Sequence, residues 1–88
     1  MNTLAKRLYN VAPEPVTLTF ADDTTLDLAM HHAEFFQDEL EAEGETDDGT
    51  THRIVDGDDD ETLLVARETA DGWTVVGDVT AVDRATDE

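Results

Sequence analysis

Carboxylates run through the apolar segments of this chain instead of collecting at one end of it, and that interleaving limits what it can fold into. Asp and Glu number 23 against five Lys and Arg, a formal charge of −18 over 88 residues. A chain so charged ordinarily stays unfolded, because self-repulsion is strong and apolar surface is scarce. Here the acids interleave with Val, Leu, Phe and Thr in strand-like alternation, as Asp27 does between Leu26 and Leu28, so a core is still encoded. The repulsion must then be relieved by the solvent. At ~1 M salt the screening length falls to about 3 Å, and surface charges nearly stop repelling one another. Carboxylates also keep such a surface hydrated and soluble.

Fourteen of the acids are Asp, Lys6 is the single lysine, and Arg7, Arg53, Arg67 and Arg84 complete the basic set. Excess Asp and Thr with scarce Lys resembles the proteins of extremely halophilic archaea, in particular their short uncharacterised acidic proteins. The resemblance implies an environment of concentrated salt and carries no activity with it. The length suits one small domain over 1–88, with frayed ends at about 1–3 and 84–88. Without cysteine there is no disulfide, no thiolate metal site and no thiol nucleophile. No apolar run reaches the ~18 residues of a membrane span. The start, Met1 to Asn10, lacks an apolar stretch of signal length, so a cytoplasmic protein is expected.

Along the chain, Leu4, Leu8 and Val11 share a helical face, so Thr3–Val11 is read as a short helix or as an unstructured start. Pro13 and Pro15 end it. Val16–Phe20 and Thr25–Leu28 form a hairpin around Ala21–Thr24. Ala29, Ala33, Phe36 and Leu40 recur at spacings of four, three and four, which predicts the main helix over 29–43 with Gly44 as its C-terminal stop. Strands follow at Thr51–Val55, Thr62–Glu68 and Trp73–Val82, the last broken in register near Gly77. The expected fold is α+β: a mostly antiparallel sheet of about five strands with the 29–43 helix packed on one face and an optional short N-terminal helix.

Each candidate for chemistry competes with a plainer role. Asp56-Gly57-Asp58-Asp59-Asp60-Glu61 suggests calcium, but Glu61 and Arg67 stand where an EF-hand needs Gly and a bidentate Glu. A solvated turn that holds cations loosely as counterions is the better account. His31, His32 and His52 are weak metal candidates, since adjacent helical residues diverge by about 100° and nothing draws His52 to them. Surface or interface histidines are expected instead. Lys6-Arg7 is the sole basic pair, too little to hold a polyanion against −18, so nucleic-acid binding is not favoured. No phosphate loop or nucleophile turn is present, and no enzyme is expected. With Phe36 in the core, Phe35 would lie at the helix edge beside His31 and His32 as a contact for another protein or a second subunit; covering the core rim is the equal alternative. Trp73 is expected as a lid on the core.

The expected function is a non-catalytic interaction or homodimerising module, with no cofactor, through Phe35, His31 and His32 or an open sheet edge. The alternatives are a metal- or small-ligand-binding domain at His31, His32 and His52, and a nucleic-acid-associated regulator using Lys6 and Arg7. The salt argument has a direct consequence. Thermal unfolding followed by circular dichroism should shift upward from dilute buffer to ~3 M KCl at neutral pH, and an unchanged transition would contradict it.

Overall fold

A computed structural model describes residues 3–11, 14–36, 39–57 and 61–85. The chain runs α1 (Thr3–Val11), β1 (Val16–Phe20), β2 (Thr25–Phe36), β3 (Glu39–Glu45), β4 (Thr51–Asp56), β5 (Leu63–Thr69) and β6 (Gly72–Arg84). The six strands close into an antiparallel barrel in chain order, with β6 returning to β1. This corrects the expected open sheet of about five strands with a helix over 29–43 on one face. That stretch is the second half of β2 and most of β3, which pair antiparallel, with residues 37 and 38 outside the described residues.

The inward row of β2 changes phase at a bulge. Leu26, Leu28 and Met30 turn inward with the period of two that a strand imposes. Met30 then pairs with Gly44 and His32 with Glu43, so His31 is an extra residue on β2. The bulge shifts the inward set to Ala33 and Phe35. The inward residues of β2 are therefore not those whose spacing suggested a helix, since Ala29 and Phe36 are exposed. Beyond it, Glu39-Leu40-Glu41-Ala42-Glu43-Gly44-Glu45 alternates without a break, and Leu40, Ala42 and Gly44 are buried. Gly44 is no helix stop. A Cβ there would stand 2.9 Å from the Ala29 carbonyl oxygen and 3.0 Å from Met30 Sδ, so β3 can approach β2 only with glycine.

β6 carries two further bulges. Thr19 pairs with Ala81 and Phe20 with Val79, which leaves Thr80 extra and brings both Val79 and Val82 inward. Val65 pairs with Gly77 and Ala66 with Val75, which leaves Val76 extra. Arg84 pairs with Val16 inside the ladder rather than fraying, while 1–2 and 86–88 lie outside the described residues.

The barrel is filled by side chains: Leu18, Leu28, Leu40, Ile54, Leu63 and Val65 are almost fully buried. Ala5, Leu8 and Val11 of α1 join them and close the end where β1 begins. Each large apolar side chain buried this way contributes roughly 1.5–3 kcal/mol. Arg7 ties the helix down by donating from Nε to the Val82 carbonyl and from Nη2 to Asp83 Oδ1 at 3.2 Å. At the helix end, Glu14 N donates to the Val11 carbonyl at 3.0 Å.

Gly44 separates the two readings of 29–45 in solution. Gly44→Val should destabilise by about 1–3 kcal/mol, read as a lowered thermal midpoint in high salt, although valine is the better strand former. A neutral effect would mean that the close approach of β3 to β2 is wrong.

Candidate interaction surface

The bulge at His31 puts both neighbouring imidazoles on the outside of the barrel, where two consecutive strand residues would ordinarily oppose each other. His31 Nε2 lies 3.0 Å from Glu45 Oε1, and His32 Nε2 lies 3.6 Å from Glu43 Oε1. His52 points the other way. It is buried in β4, with Nδ1 3.1 Å from the Thr50 carbonyl. The structure therefore does not bring the three histidines together. Among the described residues no three His, Asp or Glu side chains form a group able to hold a metal ion.

Phe35 and Phe36 exchange the places expected of them. Phe35 packs against the core with the Tyr9 ring, centroids 5.1 Å apart, while Phe36 is 56% exposed. The parity set by the bulge decides this. Of the acidic turn after β4, residues 58–60 lie outside the described residues; Asp56 Oδ1 is buried without a hydrogen-bond partner among the rest. Lys6 and Arg7 share an open cavity of about 560 Å³ with Arg84. Arg84 Nε is 3.0 Å from Glu14 Oε1 and Arg7 faces Asp83, so carboxylates already offset two of these three cations.

The apolar surface that sequence reasoning missed lies on β6. Trp73 is 45% exposed, Val75 61% and Val76 42%. The Val76 bulge reverses the strand's parity, so Trp73 and Val75 face away from the barrel interior instead of extending the inward row of Val79 and Gly77. Trp73 is not a core lid. It stacks under the Arg53 guanidinium, 5.7 Å from the ring centroid. The signal was present in the sequence: Val75, Val76 and Val79 cannot all share one side of a regular strand.

β1 is the shortest strand at five residues, between β2 of 12 and β6 of 13. Its ladder with β6 ends at Phe20 and Val79, extended by Ala21 N donating to the Asp78 carbonyl at 3.0 Å. From Gly72 to Gly77, β6 pairs with β5 on one side and with no described strand on the other. An open cavity of about 400 Å³ lies in that gap, between the β1–β2 turn and β6, lined by Phe20, Leu26, Val76 and Gly77 with Asp22 and Asp78 among its polar residues.

Two loops at this end of the barrel are built alike. Asp22 Oδ1 accepts from Thr24 Oγ1 at 2.6 Å and Thr24 N at 3.1 Å. Asp48 Oδ1 accepts from Thr46 Oγ1, and from Thr50 N at 3.1 Å. The side-chain bond from Thr24 holds the Asp22 carboxyl below its ordinary value, helped by the backbone bond. For Asp48 the Thr46 hydroxyl has the largest effect, followed by Thr50.

Residues 1–88 match the family described as a domain of unknown function, DUF8072. The chain belongs to that family. No curated protein and no solved structure matches this DUF8072 chain. No helix among its described residues is long and apolar enough to cross a membrane.

The loop geometry sets a pH dependence. A carboxyl whose folded value is depressed adds stability above its unfolded value and loses it as pH falls through the folded one. Carboxyl-carbon NMR titration should therefore give Asp22 and Asp48 lower midpoints in the folded chain than in the chain unfolded by urea. Equal midpoints would mean that the Asp–Thr bonds do not persist in solution.

Proposed function

We propose that the protein is a non-catalytic protein-interaction module working in the concentrated electrolyte of a halophile's cytoplasm, and that its contact surface is the exposed part of β6. The observation that carries this role is the placing of Trp73, Val75 and Val76 on the surface of a chain of charge −18. Burying those side chains would be favourable, yet a bulge holds Trp73 and Val75 outside. Tryptophan beside a stacked arginine is also the kind of pair on which interfaces concentrate their binding free energy. The interior supports the same reading, because it is packed with Leu, Ile and Val rather than shaped around a substrate.

Salt favours this mode of binding. Apolar contacts keep their strength in an electrolyte that screens exposed ion pairs. A surface of carboxylates discourages unspecific association and leaves a small apolar area to choose the partner.

Affinity capture in ~3 M KCl tests the role, with wild type and Val75→Lys as paired baits. Val75 is largely exposed, so the substitution should leave the thermal midpoint unchanged. Wild type should retain a defined protein that the variant loses, and the pair should re-form from purified components. Equal recovery on both baits, or no complex from purified components, would overturn the proposal.

A further inference from the structure

β6 presents an unpaired edge as well as an apolar face. From Gly72 to Gly77 its β1 side has no neighbouring strand among the described residues, a stretch of about 20 Å at strand rise. The sequence there is Gly-Trp-Thr-Val-Val-Gly, with no charged residue in a chain that is 32% charged. Folded proteins protect such edges with charge, proline or a covering element. The other gap beside β1 is covered in that way: β2 also outruns β1, and α1 sits there with Tyr9 against Phe35. The β6 edge is the counterpart left uncovered, and the cavity of about 400 Å³ opens beside it.

We infer that this edge accepts an extended segment of a partner protein as an added strand, and that the segment carries basic residues on either side of an apolar centre. The inference rests on the interaction role proposed above and names the kind of partner. Charge decides the occupant. Asp71 precedes the neutral stretch, and Asp78 and Asp22 stand at its far end beside the cavity. The nearby cations lie on the β5 side: Arg67 pairs with Thr74, and Arg53 stacks on Trp73. An added strand on the β1 side therefore meets carboxylates at both ends. A second copy fits less well. Antiparallel self-pairing of 72–77 would set Asp71 opposite Asp78 of the other copy at each end, carboxylates about 5 Å apart, close enough that concentrated salt weakens their repulsion without removing it. Main-chain hydrogen bonds would hold the segment, and one apolar side chain of it would enter the cavity against Phe20 and Leu26.

A synthetic peptide, Lys-Lys-Val-Thr-Val-Thr-Val-Lys-Lys, and its twin with Glu at the four ends provide the test. Each is titrated into the full chain in ~1 M KCl and followed by amide hydrogen exchange. The lysine peptide should slow exchange at the free edge within Trp73–Val76 and bind about fivefold tighter than the glutamate twin. Asp71→Asn/Asp78→Asn, both exposed, should keep the protection and reduce the preference, with Asp22 left in place. Absence of protection by either peptide at millimolar concentration, or equal affinity for both in the wild type, would overturn the inference. Protection that depends on protein concentration without peptide would also overturn it, since the occupant would then be a second copy. If capture succeeds while the peptides fail, the interaction role stands and only the added strand is lost.

Discussion

The brevity of β1 is the constraint on which the rest of the barrel depends. Pro15 precedes it and the Ala21–Thr24 turn follows, so five residues must join two strands of 12 and 13. The ladder closes only where Val16–Thr19 meet β2 and Val16–Phe20 meet β6. Beyond each end of β1 the long strands diverge, and each divergence exposes backbone polar groups and apolar side chains. At one end α1 inserts Leu8 and Val11 and solves the problem within the chain. At the other, residues 21–24 turn back too soon to cover β6. The helix is therefore a structural replacement for missing strand, and its absence opposite creates the candidate site.

Strand parity also organises the charge. Glu39, Glu41, Glu43 and Glu45 all point outward from β3, successive side chains about 7 Å apart. Their repulsion falls on one face of one strand. The neighbouring strands bring much of the chain's small stock of basic and imidazole groups beside it: His31 and His32 from β2, and Arg53 from β4 opposite Glu43. Exposed pairs of this kind are worth little singly, and screening weakens them further. Their arrangement still matters, since the cross-strand neighbour of Glu43 on either side is a potential cation rather than a third carboxylate.

What could be read from the sequence divides along the bulges. Where strands are regular, as in Val16–Phe20 and the two hairpin turns, period two gave the element and its inward residues. For Thr3–Val11 the sequence left a helix and an unstructured start open, and burial of Ala5, Leu8 and Val11 decides for the helix. Over 29–43, Ala29, Ala33, Phe36 and Leu40 satisfy a helical template by spacing alone, although Ala29 and Phe36 are exposed. The inserted His31 moves the inward row from Met30 to Ala33, so no unbroken period of two marks the strand. The unbroken Glu alternation of 39–45 is the stronger signal, because a glycine at 44 suits a close approach of two strands as well as a helix stop. Phe35 and Phe36 were interchanged because the helical spacing assigned Phe36 to the core, and Trp73 was misplaced by the bulge at Val76.

The bulges that obscured the fold also determine its surface. A regular β6 would carry Val79, Gly77, Val75 and Trp73 on one side, all turned toward the barrel. Val76 breaks that row, so the strand's apolar half faces solvent beyond the point where β1 can cover its edge. Either feature alone has an ordinary remedy: an exposed apolar face can be made polar by substitution, and a free edge can be protected by lysine or proline. The segment 72–77 has neither remedy, although the surrounding chain supplies charge almost everywhere else. A neutral, apolar strand with one free edge in so acidic a molecule is an aggregation hazard when bare, and the proposed added strand would account for both omissions at once.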